Sequence, residues 1–302
     1  MGFRQTSSLE LAWQGWRMAV PVRWNPVRIE GDYDSGYVLL SDLHGPRLGL
    51  RWRKAGRRFD AASWARKALR QEVGMVASEE ARPVAAGPEF ESSLLFTDPT
   101  PPGRDVWVAY STRSRRAVEL VYRSRRRERV LSPIILPTFS DQAAEQPVRW
   151  SIFGISCIVP AGLRLVRHQL NAGDLTLSFA GRGHELLVRQ VSLAQQALRR
   201  MPMEKWLNQV EWARRSRYRR RIEPGPVALD LAGRRLEGLR GVIQRKRRFF
   251  MAWRLPREIY SYALHDPDRD RLVFVQSTDD QSGAQAVQSI GWAGDSISPP
   301  GL

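Results

Sequence analysis

The chain has 302 residues, about twice a common domain length, so two domains are the first expectation. Hydrophobic residues make up 42% and tryptophan occurs eleven times, which excludes a disordered chain because apolar burial can offset the entropy of ordering. The net charge is +17, and only four of the 48 basic residues are lysines (Lys54, Lys67, Lys205 and Lys246), so the excess is an arginine excess that calls for an anionic partner or tolerance of self-repulsion.

Glu10, Gln14 and Arg17 interrupt the first twenty residues, so no signal-type apolar run is expected there. No stretch has the length and apolarity of a spanning helix, and the expectation is a cytoplasmic protein with no membrane association. Met1-Gly2 with Thr6 fits a loose acylation pattern, which is read as chance. The first strand, within WQGWRMAVPVRW, is closed by Pro21, which cannot donate to a ladder. A second apolar stretch follows at Gly36–Leu40. Leu48, Leu50 and Trp52 then alternate with polar positions, the period of a half-buried strand. Asp60 is a suitable N-cap for the helix AASWARKALRQE, anchored by Trp64. A hairpin and the segment SPIILPTF close this part. The polar stretch Asp141–Arg149, with Pro147, reads as a linker.

The same order then recurs. Pro160 closes RWSIFGISCIVP at 139 positions from Pro21, and Gly173–Leu177 and Glu185–Gln190 supply the next strands. A helix in MPMEKWLNQVEWARR places Trp206 where Trp64 stood. At a spacing of 153, Val106-Trp107 meets Ile259-Tyr260, Leu120-Val121-Tyr122 meets Val273-Phe274-Val275, and Phe139 meets Trp292. These matches predict a tandem duplication. The first copy covers 1–144; the second covers 145–302, is more basic and carries an insertion around 214–250. The predicted fold class is α+β, two copies of a mostly antiparallel sheet flanked by helices. The proline-closed first strand, the helix tryptophan and the terminal aromatic resemble the PsbP-like fold, shared with a Ran-binding nuclear import factor and small bacterial proteins. The resemblance implies a binding module, an adaptor or chaperone, rather than an enzyme.

No catalytic constellation is recognised. Cys157 sits among apolar neighbours in a strand, where burial suppresses thiolate formation. His44, His168, His184 and His265 are scattered, without ligand spacing for zinc. Asp266, Asp268 and Asp270 resemble the start of a calcium loop, but Arg271 and Ser277 stand where the loop needs Gly and Glu, so a solvated turn is the better reading. No phosphate or dinucleotide loop occurs, and neither metal nor cofactor is expected.

The charge is uneven. Residues 199–248 hold 16 basic and 5 acidic residues. Two runs dominate: Arg214, Arg215, Arg217, Tyr218, Arg219, Arg220 and Arg221, then Arg245, Lys246, Arg247 and Arg248. They are the candidate anion- or partner-binding residues. One reading is a non-enzymatic adaptor that binds an acidic protein partner. The other is a nucleic-acid-binding protein, with Tyr218 and Phe249-Phe250 offered for base stacking.

Overall fold

A computed structural model describes residues 8–56, 59–73, 82–84, 86–98, 104–123, 131–181, 183–207, 218–220, 225–231, 234–245 and 258–292. Two compact units emerge, one of residues 1–144 with 149–154 and one of 145–148 with 155–302.

In the first unit, β1 (Ser8–Trp13) and β2 (Trp16–Pro21) form a two-residue hairpin. Gln14 and Gly15 both take positive φ, at 52° and 87°, matching the turn to the right-handed strand twist. The main sheet is built from β3 (Asn25–Gly31), β4 (Ser35–Asp42), β5 (Gly45–Lys54), β6 (Arg82–Pro83), β7 (Phe90–Asp98), β8 (Arg104–Ser111) and β9 (Arg116–Arg123), in the order β3-β4-β5-β9-β8-β7-β6. One helix, α1 (Ala61–Val73), follows β5. Asp60 caps it by accepting from Ser63 N at 3.0 Å. Ala61, Trp64 and Ala65 of α1 pack on Phe96, Val106, Val108, Ala117 and Val121. Trp16 of β2 stacks on Phe90 and Phe139, with Trp107 edge-on to both phenylalanines. Short strands β10 (Ser140–Asp141) and β11 (Val148–Ile152) complete the order β10-β2-β1-β11.

Arg116, at the start of β9, is the centre of this unit. Its side chain and that of Asp141 are both fully buried, 2.6 Å apart. The guanidinium also donates to Gln14 O, Tyr33 O and Ser114 Oγ at 2.7, 2.8 and 2.9 Å. The rings of Trp16 and Tyr33 lie 4.2 and 4.0 Å from its central carbon.

In the second unit, β12 (Ile155–Val159) is followed by β13 (Arg164–Asn171), β14 (Asp174–Gly181) and β15 (His184–Ser192). Helices α2 (Ala194–Arg200) and α3 (Met203–Leu207) come next. They are followed by β16 (Tyr218–Arg220), β17 (Gly225–Leu231), β18 (Arg234–Arg245), β19 (Glu258–Asp266), β20 (Arg271–Ser277), α4 (Asp280–Gln288) and β21 (Gly291–Trp292). The large sheet runs β13-β14-β15-β20-β19-β18-β16, with β17 also paired to β18, while β21 pairs with β12. Trp206 packs with Ala194 and Leu272, and Leu207 with Leu187, Ala263 and Phe274.

These strands correct the expected fold class. Among the described residues strand accounts for 61% and helix for 16%, in three antiparallel sheets, so the described structure is largely all-β rather than α+β with flanking helices. The misjudged segments are charged strands. Asn25–Gly31 and Arg164–Asn171 alternate poorly because a bulge interrupts each and neither holds a fully buried residue, and the β17–β18 hairpin occupies much of what reads as an insertion at 214–250. Among the described residues no helix is long and apolar enough to cross a membrane.

The two large sheets share their strand order and several irregularities. A bulge falls at exposed Val27 in β3 and at exposed Val166 in β13, 139 positions on. Trp24 N donates to Pro21 O, and Leu163 N to Pro160 O, at that spacing. Positive φ at Gln14 and Gly15 is repeated at Phe153 and Gly154. The C-terminal hairpins, however, match at 155 rather than 153. Ser111 pairs with Arg116 and Asp266 with Arg271 across turns in which Arg115 and Asp270 have positive φ. A two-residue slip preserves which face each side chain occupies, so the pattern of apolar positions could not expose it.

Asp141→Ala should destabilise the first unit by about 3–5 kcal/mol, because it leaves Arg116 charged and unpaired in the core. The apolar double change Arg116→Met with Asp141→Leu should cost less. Urea denaturation followed by tryptophan fluorescence and far-UV circular dichroism compares the two; equal losses would show that packing outweighs the buried charge.

Candidate functional site

The fold brings together the two basic runs that the sequence separates. β16 pairs antiparallel with the end of β18, setting Tyr218 opposite Arg245, Arg219 opposite Gln244 and Arg220 opposite Ile243. Arg219, Arg220 and Arg245 therefore lie on adjacent strands at one border of the second sheet. Arg214, Arg215, Arg217, Arg221, Lys246, Arg247, Arg248 and Phe249-Phe250 lie outside the described residues.

Behind that border, β18, β19 and the start of α4 hold a polar network. Arg240 faces Tyr262 in register, and its Nη2 donates to Asp280 Oδ2 at 2.7 Å. The Tyr262 hydroxyl donates to Asp280 Oδ1 at 2.6 Å. Two residues earlier on the same strand, the Tyr260 hydroxyl donates to Glu258 Oε2 at 2.6 Å. Gln244, the partner of Arg219 in the ladder, donates to Glu258 Oε1 at 3.2 Å. The Arg240 guanidinium is 5.6 and 5.9 Å from the Tyr260 and Tyr262 ring centres.

This network restrains its members' titration. The hydrogen bond to Glu258, with burial, pushes Tyr260 up to about 12. Burial and the hydrogen bond to Asp280 push Tyr262 to about 12 as well. Burial alone would raise Asp280, but hydrogen bonds from Arg240 and Tyr262 and the charge of Arg240 hold it below the ordinary carboxylate range. Hydrogen bonding to Asp280 and Tyr262 raises Arg240. Tyrosines that hold their protons this tightly are poor general bases. The network acts as a clamp that fixes β18 against β19 and so supports the basic border. Its sequence trace is the Tyr260-x-Tyr262 alternation followed by Asp279-Asp280 at a helix start, a pattern too common to single out unaided.

The other candidates resolve into structural parts. Asp266 is buried and accepts from Arg269 N and its guanidinium at 3.3 Å. Asp270 Oδ1 accepts from Gln195 N at 2.7 Å and Asp270 O from Ala194 N at 3.1 Å, tying the β19–β20 turn to the start of α2. Among the described residues no cluster of three His, Cys, Asp or Glu side chains has the arrangement to hold a metal. Cys157 is buried in β12. Burial lowers the proton affinity of His168 on β13.

The chain matches no family model and no curated protein sequence.

Spectrophotometric titration of the seven tyrosines should show two, Tyr260 and Tyr262, that ionise near 12. Because the folded values exceed the ordinary value near 10, their stabilising contribution is complete below about pH 10 and is lost as pH rises to 12. Asp280→Asn should return one of the two towards 10; an unchanged titration would show that the clamp does not hold Tyr262.

Proposed function

We propose that this protein is a non-enzymatic binding module, an adaptor that docks an acidic segment of a partner protein on the arginine-rich border of its second sheet. The carrying observation is the β16–β18 register, which sets Tyr218 and Arg219 opposite Arg245 and Gln244. This border belongs to the stretch 199–248 that holds 16 basic and 5 acidic residues. We also propose that the chain arose by tandem duplication, which the shared strand order and the matched bulges at Val27 and Val166 support. Fold likeness is weak warrant for function, so the binding role rests on the charged border.

The described tryptophans offer no stacking face to a nucleic acid. Proteins that hold single strands present exposed aromatic faces on which bases stack. Here Trp13, Trp16, Trp24, Trp52, Trp64, Trp107, Trp150, Trp206 and Trp292 are all buried, while the side chains of Tyr218 and Phe249-Phe250 lie outside the described ones. The border is rich in arginine. Arginine forks suit carboxylates, which they bind through paired N–H donors.

The test is anisotropy titration of a labelled glutamate-rich peptide, a mixed-sequence RNA and a duplex DNA, over about 50 to 300 mM salt. The peptide should bind the native chain, and the Arg219→Glu/Arg220→Glu/Arg245→Glu variant should bind it at least about tenfold more weakly with an unchanged circular dichroism spectrum. RNA or DNA binding that is tighter than peptide binding at equal salt, with a steep loss of affinity as salt rises, would replace this reading with nucleic-acid binding.

A further inference from the structure

The first unit carries a separate cleft of about 530 Å³ where the end of β5 meets the start of α1. Arg51, Arg53 and Lys54 line it from the strand, and Trp64 and Lys67 from the helix, with Phe59 on its wall. Two of the nearby carboxylates are already engaged. Glu119, beneath the cleft, accepts from Trp64 Nε1 at 2.6 Å and lies 3.7 Å from Arg51, while Asp60 caps α1. Arg53, Lys54 and Lys67 are exposed, and they leave the cleft with a positive surplus.

Arg53 is held in a way that suits recognition. Its guanidinium lies 4.2 Å from the centre of the Trp64 ring, and Trp64 is fixed by its bond to Glu119 and by the edge-on ring of Phe59 at 5.2 Å. Interaction through the ring face limits the rotamers of a long side chain while leaving the N–H edges of the guanidinium able to grip a planar group. The same stacking covers Trp64, so the cleft presents an ordered cation rather than a stacking platform for bases.

The second unit shows that this charge is not a requirement of the scaffold. Lys54 pairs with Arg116 and Arg53 with Ala117; in the second unit Ser192 pairs with Arg271 and Val191 with Leu272. Arg116 and Arg271 each begin a strand after the equivalent four-residue turn, so Arg53 and Lys54 stand where Val191 and Ser192 stand. The match of Arg51 is Arg189, which Asp174 neutralises through bonds of 2.9 and 2.6 Å. The matched end of the corresponding strand is thus neutral in one unit and cationic in the other.

We propose that this cleft is a carboxylate-binding site for an acidic peptide, with Arg53 as the fork that grips a glutamate, an aspartate or a C-terminal carboxylate and with Lys54 and Lys67 flanking it. It is distinct from the arginine-rich border of the second unit and does not depend on it.

The chain's four lysines make the test local, because Lys54 and Lys67 line the cleft, Lys246 follows Arg245 in the sequence, and Lys205 is exposed on α3. Acylation of the intact protein is followed by mass spectrometry with and without hexaglutamate, C-terminally free or amidated, and with inorganic phosphate at the same concentration. Hexaglutamate should slow labelling of Lys54 and Lys67 and leave Lys205 unchanged. Arg53→Lys, which keeps the charge but loses the fork, should weaken that protection about tenfold without affecting Lys246. Protection by the free but not the amidated peptide would assign the site to a chain terminus, and equal protection by both would assign it to side-chain carboxylates. Undiminished labelling of Lys54 and Lys67 would overturn the proposal, as would equal protection by phosphate or full protection in Arg53→Lys. Protection confined to Lys246 would refute the cleft while leaving the border intact.

Discussion

The first unit depends on one buried cation. Burying a guanidinium costs several kcal/mol unless its charge is matched and its donors are used. Arg116 meets both conditions, with Asp141 as counter-ion and with Gln14 O, Tyr33 O and Ser114 Oγ as further acceptors. Those acceptors come from three different turns, and Asp141 comes from β10, so one side chain ties together segments far apart in sequence. Gly15 shows how tightly the neighbours are constrained. Its φ is +87°, and a Cβ there would lie 2.9 Å from both Arg116 Nη2 and Gln142 O. The residue that completes the hairpin turn is also the one that admits the guanidinium.

The second unit keeps the scaffold and abandons this device. Arg116 has its topological match in Arg271, but Asp141, which pairs with Trp16, has its match in Trp292, which pairs with Ile155. Polarity moves elsewhere. The apolar cross-strand pair Val106–Val121 is replaced by Ser261 and Gln276, joined by a 3.0 Å hydrogen bond. The Arg240–Tyr262–Asp280 cluster then fastens the sheet to α4. Each of these polar clusters is closed within its own unit, which is how one strand order tolerates two different interiors.

What the sequence revealed follows from which constraints leave local marks. A proline at a strand end, alternation over Leu48, Leu50 and Trp52, and an aspartate three residues before a backbone N–H it caps are all local, and the structure contains each of them. The charged strands were invisible for the opposite reason. An edge strand or hairpin that buries little needs little alternation, and arginine both covers apolar surface with its stem and hides the period. The meeting of Tyr218 with Arg245 was equally hidden, because it is a pairing across a long connection and no local residue choice specifies it. Arg53 stood in plain sight as one exposed position of an alternating strand; its placement on Trp64 exists only once α1 packs on the sheet.

The two proposed sites have a common physical origin. A sheet of this size has more positions than its core requires, and those at its borders and beside its helix are free to take charge. In the first unit the surplus sits where α1 meets β5; in the second it sits where β16 meets β18. The matched positions are neutral in one direction of the comparison, Val191 and Ser192 for Arg53 and Lys54. Net charge of one sign usually lowers stability by self-repulsion, so a fold that can dispense with it at a given place retains it there against that cost. On the proposed reading these arginines form a surface shaped by its ligand rather than the residue of a basic composition.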